Sequence, residues 1–373
     1  MDTTTQLTKQ SQTSSGSSSR LNSTTILDEY SCKPFISDTS VSKGVKIFFY
    51  CVLLLFSVFG NSLLIAIIKR NRRMKTITNY LIANMAVSDI LITVLAVPRQ
   101  ITEILLGPRR WLIDGFLGSV LCKSVYFFQD ITIGVSILSL LAIAVDRYRG
   151  IVFPFRKQFK KPAKLCKVIV PTIWLMSMGL QAIYFYIFRI VTVDSKPYCI
   201  INWAPKFDLK KSQEAHFIVI FVCLIAIPAC VATLLYSAVI MNLNRSRHTR
   251  GQGPSSCKMS ERLREDKKVV KIIIAILVAF IVCIIPINVY GILFYFVWDW
   301  KVPCGMENFG FSAFFTLYSN ASVNPCIYFV LHDKYRQGFL NILKAFPFIR
   351  KKAAQSPEIF ALVRLKNSSA SRG

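Results

Sequence analysis

An isolated carboxylate inside an apolar run is the first feature of this chain that could do chemistry. Asp89 lies halfway along such a run, and Asn61, Ser136, Asn320 and Asn324 sit at comparable depth in three others. A charge placed there is costly unless partnered, so it marks a functional position. Together these oxygen-bearing side chains suit a hydrated cluster that could hold a small cation. Asp89, Ser136, Asn320 and Asn324 would then form a sodium site, and a purely structural polar knot would use the same atoms. A second group is Asp146-Arg147-Tyr148 at the end of another run, with Asp266 opening a later one. A guanidinium binds carboxylates through several coplanar donors, so Arg147 could clasp Asp146 and Asp266 together. A third group, Arg99, Gln100, Glu103, Gln129 and Asp130, would make a charged pocket mouth. Metal-dependent catalysis has no comparable basis, because His216, His248 and His332 show no ligand spacing. We expect no enzyme, and no cofactor beyond an allosteric sodium ion.

These groups need elements that hold them in a solvent without water. Apolar residues make up 53% of the 373-residue chain and charged residues 17%, against about 25% charged in ordinary soluble domains. Seven stretches, 47–68, 79–98, 118–145, 168–188, 217–241, 272–298 and 309–331, are apolar over such a length. A helix needs about 20 such residues to cross ~30 Å of hydrocarbon. Barrel-type strand alternation is absent. The expected fold is an all-α membrane protein, a seven-helix bundle with a short amphipathic eighth helix.

Charge gives the orientation. The loops 69–75, 147–167 and 242–271 hold 22 Lys and Arg, whereas the alternate loops 107–118, 189–215 and 299–308 hold 8. Positive residues favour the cytoplasm. The N-terminus is therefore expected outside, in a multi-pass protein of the plasma membrane. The net charge of +27 becomes a topology signal and an attraction to anionic inner-leaflet lipid. It is split among short loops, which argues against nucleic acid as a partner. The halves do not echo one another, which weighs against transporters built from duplicated bundles.

Residues 1–44 read as a disordered extracellular tail, 45–331 as the bundle, and 332–373 as the eighth helix with a cytoplasmic tail. The first 25 residues contain 14 Ser or Thr and no apolar core of a signal peptide. Asn22 opens a glycosylation sequon on the outer side. Four cysteines, Cys32, Cys122, Cys199 and Cys304, lie on or near the outer face, where disulfides persist. The sequence permits three pairings. We expect Cys122–Cys199, which would pin the long loop across the bundle mouth, and then Cys32–Cys304 to tie the tail to the last outer loop.

The motifs, taken in order, resemble the rhodopsin-like (class A) G-protein-coupled receptors from about residue 46 to 348. Gly60-Asn61, Met85-Ala86-Val87-Ser88-Asp89, Asp146-Arg147-Tyr148, Trp174, Pro228 with Tyr236, and Asn324-Pro325-Cys326-Ile327-Tyr328 each stand on the span where that family carries its signature. The resemblance implies a heterotrimeric G protein as partner, with arrestin a further one. It also implies a switch of Asp146, Arg147, Tyr148, Tyr236, Asp266, Phe280, Asn324, Pro325 and Tyr328. Three residues depart from the pattern. Met85 replaces a Leu. Ile284 stands where the sixth helix carries a Trp, which shifts the expected coupling role to Phe280. Asp266 replaces a Glu one methylene longer, so a weaker inner latch and some basal activity follow.

The ligand is read from span three. Counting outward from Arg147 gives Ile143, Ser136 and Gln129 on one face, with Gln129 18 residues away, or ~27 Å. Amine receptors of this family carry Asp at that position, and Gln129 resembles neuropeptide receptors instead. Asp130 stands next door, rotated about 100° on the helix, so an amine or other small molecule is the competing ligand. Span seven has no Lys for a retinal Schiff base. Asn288 and the aromatic residues Phe294, Phe311, Phe314 and Tyr318 complete a pocket suited to an amidated or charged peptide end. A transporter using Asp89, Asp130 and Arg147 as a conduction path is the remote alternative. No Cys follows the eighth helix, so Phe339, Leu340, Leu343 and Phe346 are expected to anchor it to lipid by burial.

Overall fold

A computed structural model describes residues 39–71, 74–153, 162–248 and 255–345. Among them, seven long helices, a single helical turn after the fourth and a short last helix follow in order. They are α1 (Ser40–Arg70), α2 (Ile77–Leu106), α3 (Gly115–Val152) and α4 (Pro162–Gln181). α5 begins as Leu209–Ile220, passes through a π-helical stretch at Phe221–Ala226, and continues as Ile227–His248. α6 (Ser255–Ile292) ends in a second π-helical stretch, Leu293–Val297. α7 (Glu307–Leu331) leads into α8 (Asp333–Ala345).

Polar side chains start several of these helices by accepting from amides that the helix leaves unpaired. Ser42 N donates to Thr39 Oγ1 at 3.2 Å, Asn79 N to Thr76 Oγ1 at 3.3 Å, and Lys211 N to Asp208 Oδ1 at 2.8 Å. Six of the described helices are long and apolar enough to cross a membrane. α7, with 25 residues, is ~37 Å long and spans it too. Its Ser, Thr and Asn residues dilute an otherwise apolar run.

The expected fourth span, 168–188, lies but for its last residue within the apolar segment Ala163–Ile187, which starts earlier and is broken after Gln181. α4 starts at Pro162 and stops at Gln181, a single turn Tyr184–Ile187 follows, and Phe188 already opens a strand. β1 (Phe188–Val193) and β2 (Lys196–Ile201) pair antiparallel, with Phe188 opposite Ile201 and Val193 opposite Lys196. The β-branched run Ile190-Val191-Thr192-Val193 favours the strand. Asp194 and Ser195 adopt φ of 48° and 60°, the left-handed pair that a two-residue hairpin turn requires. This hairpin marks one end of the bundle, and α8 marks the other.

Inside hydrocarbon, apolar burial gives helices no preference for each other over lipid, so small residues and hydrogen bonds set the packing. Asn61 Nδ2 donates to Ala321 O at 2.8 Å and to Ser57 O at 3.0 Å, fastening α1 to α7. Trp174 Nε1 donates to Asn84 Oδ1 at 2.9 Å, and Asn84 Nδ2 to Ser139 Oγ at 3.0 Å, so one amide joins α4, α2 and α3. α8 docks through fully buried Tyr335, whose hydroxyl donates to Asn79 Oδ1 at 2.9 Å. Phe339 stacks on Phe329 of α7 at 5.3 Å instead of turning outward.

Gly60 completes the α1–α7 contact, since a Cβ there would stand 2.8 Å from Pro325 Cγ. Gly60→Val is expected to cost about 1–3 kcal/mol through overpacking. Thermal unfolding in detergent reads it, and an unchanged melting temperature would count against this contact.

Candidate functional site

Three polar zones lie along the bundle axis. The first is a cavity of about 400 Å³ at the hairpin end. α2 brings Arg99 and Glu103 to it, α3 brings Gln129 and Asp130, α6 brings Asn288 and Phe294, and α7 brings Phe314. Cys122 and Cys199 form a disulfide with Cα atoms 5.8 Å apart. It holds β2 against α3, so that Phe188 and Ile201 roof the cavity. Cys304 is disulfide-bonded as well, while Cys32 and Asn22 lie outside the described residues.

Arg99 organises this zone although it is only 9% exposed. Its Nη1 donates to Glu103 Oε1 at 2.5 Å, its Nε to Gln129 Oε1 at 3.1 Å, and its Nη2 to Tyr318 OH at 3.0 Å. The guanidinium also lies 5.0 Å from the centre of the Tyr126 ring, a favourable cation–π placement. Asp130 accepts from Tyr184 OH at 2.5 Å and from Gln129 Nε2 at 3.5 Å. Arg99 is thus paired with a carboxylate, whereas Asp130 is met by two neutral donors. Gln100 and Tyr318 do not line the cavity. Gln100 Oε1 accepts from Tyr50 OH at 3.4 Å, and Tyr318 lies behind the wall, bonded to Arg99 and to Gln129 Nε2. Phe311 is also turned away, edge-on to Tyr50.

Beneath it, Ile133, Ile284 and Leu317 line both the large cavity and a much smaller one. These three form an apolar partition one side chain thick. The lower cavity measures about 20 Å³ and is lined by Asp89, Ser136, Asn320 and Phe280 among others, room for one water or a bare cation. Asn324 Nδ2 donates to Asp89 Oδ2 at 2.9 Å. Ser136 Oγ pairs with Ser88 Oγ at 3.0 Å. Buried Asn320 Oδ1 and Asn324 Oδ1 accept no hydrogen bond. Orphaned buried oxygens beside a carboxylate are the donor set a hard cation takes. Asn61 does not line that cavity; its Nδ2 donates to Ala321 and Ser57, and its buried Oδ1 has no partner. Among the described residues, no three His, Cys, Asp or Glu side chains group as metal ligands.

The third zone is at the α8 end. Arg147 Nη2 and Nε donate to Asp146 Oδ2 at 2.6 and 3.2 Å, and Thr78 Oγ1 donates to the same oxygen at 2.9 Å. Arg147, Asp266, Tyr328 and His332 share a cavity of about 220 Å³. Burial holds the His332 imidazole below its usual range. Tyr148 packs on a patch of Val239, Leu243 and Val270. Tyr236 and Tyr328 are buried, and neither hydroxyl has a hydrogen-bond partner. Two exposed ion pairs cross from α6 to α8: Lys268 to Asp333 at 3.4 Å, and Lys334 to Glu265 at 3.8 Å.

Residues 60–328 match the family described as 7 transmembrane receptor (rhodopsin family). The chain belongs to that family, the class A G-protein-coupled receptors. It is a multi-pass membrane receptor. The Substance-P receptor of Rattus norvegicus is 28% identical over 300 residues, covering 80% of this chain and 71% of that one. The Substance-K receptor of Mus musculus is 29% identical over 299 residues, covering 80% and 75%. The Substance-P receptor of Aquarana catesbeiana is 25% identical over 329 residues, covering 86% and 75%.

The receptor's cavity also contains residues that sequence reasoning missed: Tyr126, Gln181, Tyr184, Gln213, His216 and Tyr295. Gln181 was legible by the rule that found Asp89, as an amide within an apolar run. It is 2% exposed, and its Oε1 has no partner. The buried His216 Nε2 has none either. Tyr184 had no sequence signal, because its role depends on the turn that ends the fourth span. At the rim, Lys210 pairs with Asp299, holding that carboxyl below its usual range.

Removing Glu103 alone strands the Arg99 cation. Glu103→Leu is expected to cost the receptor about 3 kcal/mol, and adding Arg99→Leu to recover most of it. Melting curves of the single and double variants test this, and equal losses would overturn the pairing.

Proposed function

We propose that this receptor binds an extracellular peptide in the cavity at the hairpin end and activates a heterotrimeric G protein at the α8 end. The carrying observation is the state of the charges in the upper cavity. Arg99 is paired with Glu103 and bonded to the Gln129 amide, while Asp130 is covered by the Tyr184 hydroxyl. The Gln181 amide and the His216 imidazole offer neutral hydrogen-bonding atoms in the cavity wall. Peptide amides suit such a wall. Relatives bearing the names Substance-P receptor and Substance-K receptor support a peptide ligand. The excess of Lys and Arg in the loops of the α8 end supports an extracellular N-terminus.

In this reading the peptide binds one of two bundle arrangements more tightly and shifts their populations. Displacement at the partition of Ile133, Ile284 and Leu317 passes to Phe280. Arg147 then leaves Asp146, the α8 end of α6 swings out with Asp266, and the G protein, or later arrestin, enters. Tyr236 and Tyr328 find hydroxyl partners only in that open form. A sodium ion held by Asp89, Ser136, Asn320 and Asn324 favours the closed form.

A peptide-library screen in cells reporting calcium and cyclic AMP, followed by nucleotide exchange on purified G protein, tests the whole. At least one peptide is expected to evoke exchange, and responses confined to amines would refute the ligand class. Tyr236→Phe and Tyr328→Phe each remove an unsatisfied buried hydroxyl. The resting receptor is expected to gain up to about 1–3 kcal/mol in thermal stability while evoked exchange falls. A loss of both would make the hydroxyls structural. Asp89→Asn is expected to abolish the effect of sodium on ligand affinity, and a retained effect would remove the ion from this cluster.

A further inference from the structure

The inner part of the cavity at the hairpin end carries more negative than positive charge. Among the described residues, Arg99 is the cation there, and Glu103 and Asp130 are the carboxylates. Arg99 Nη1 is spent on Glu103 at 2.5 Å, and its Nε reaches Gln129 instead of Asp130. Arg109 also lines the cavity, but its backbone stands at the rim, where its carbonyl accepts from Cys199 N at 3.0 Å. Cys199 is bridged to Cys122, eight residues outward of Asp130 on α3, or ~12 Å. Asp130 is left with neutral donors. Its Oδ2 accepts from Tyr184 OH at 2.5 Å, whereas its Oδ1 has only Gln129 Nε2 at 3.5 Å, the outer limit of a hydrogen bond.

Two further unmet groups line the same space. Gln181, in the last turn of α4, is 2% exposed, and its Oε1 accepts no hydrogen bond. The His216 ring, whose Nε2 has no partner, lies 5.7 Å from the Tyr184 ring. Tyr184 ties the group together, since it stands three residues after Gln181, bonds Asp130 and packs edge-on against Phe188 at 4.9 Å. A carboxylate inside the bundle without a counter-charge is costly, and so is a buried amide oxygen without a donor. A cation bearing several donors relieves both. The guanidinium has five N–H donors in one plane and stacks on aromatic rings, whereas an ammonium is a compact point charge. A bare metal ion is far too small for about 400 Å³, and no group of metal ligands occurs among the described residues.

We propose that Asp130 and Gln181 form the subsite for an arginine side chain of the peptide ligand. Its guanidinium pairs with Asp130 Oδ1, donates to Gln181 Oε1 and lies against the Tyr184 and His216 rings. Arg99 stays with Glu103, so the inner cavity reaches electrical neutrality only when the ligand is bound. This inference rests on the reading of the cavity as a peptide site and names the side chain that the peptide inserts there.

The full-length receptor in detergent, titrated with N-benzoyl-arginine amide and with the neutral isostere N-benzoyl-citrulline amide, tests it by thermal shift. A hydrogen-bonded charge pair is worth about 10- to 100-fold in affinity, so the wild type is expected to prefer the arginine probe by that factor. Asp130→Asn is expected to reduce the preference to under about threefold while binding the citrulline probe as before, which separates lost charge from lost folding. The charge-preserving Asp130→Glu retains a preference for arginine. Equal binding of the two probes by the wild type would overturn the subsite, and so would a preference that survives Asp130→Asn. N-benzoyl-lysine amide binding as tightly as the arginine probe would overturn the guanidinium in favour of any cation. Activating peptides that contain no arginine would overturn this inference and leave the peptide reading standing. An arginine probe held through Asp130 in a receptor that no peptide activates would do the reverse.

Discussion

Every polar group inside this bundle must be satisfied by the protein itself, because hydrocarbon supplies neither donor nor acceptor. That constraint explains why so many of the interhelical contacts are hydrogen bonds made by single amides and hydroxyls. Asn61 and Asn84 each serve more than one neighbour. Arg99 is held on three sides and stacked on a fourth. The few atoms left unsatisfied are correspondingly informative. In the three zones they occur at Gln181 and His216 in the upper cavity, at Asn320 and Asn324 beside Asp89, and at Tyr236 and Tyr328 near the α8 end, and outside them at Asn61, Gln100 and Trp111. Each zone along the axis thus carries unmet hydrogen-bonding capacity. A bundle that binds something above, holds something in its middle and rearranges below would leave such atoms in these places.

The same rule made much of the protein legible in the sequence. A polar residue in or at the end of an apolar run has few explanations, so Asp89, Asn61 and Arg147 stand out from the sequence alone. The helix count and the Cys122–Cys199 bridge also followed from composition and placement. What escaped were features set by contacts between distant elements. The break after Gln181 depends on the strand Phe188–Val193 finding Lys196–Ile201 as a partner, and a hydropathy run has no term for that pairing. Thr78 on Asp146, and Tyr184 on Asp130, join residues 68 and 54 positions apart. Nothing local marks a Thr or a Tyr for such a task. Gln100 and Tyr318 are expected in the pocket from their polar and aromatic character near its mouth, yet each faces a neighbouring helix instead.

The partition between the upper cavity and the Asp89 cavity is where the departure from the family pattern has its physical consequence. Ile284 contributes methyl groups, and Phe280, a turn below, brings the nearest ring of α6 to the lower cavity. Packed interiors transmit displacement because they have so little free volume. A branched aliphatic chain can pass a push downward only by moving against Phe280 and Leu317. It has no indole hydrogen bond to make or break on the way.

The crossed ion pairs between α6 and α8 lead elsewhere. Glu265 and Lys268 on one helix face Lys334 and Asp333 on the other, all four well exposed to solvent. Exposed pairs of this kind weaken as ionic strength rises, with a screening length near 8 Å at physiological salt. The two helices are therefore fastened by a coupling that the surrounding electrolyte adjusts. The grip of α8 on α6 is in this way set by the ionic medium at that end of the bundle, and not by packing alone.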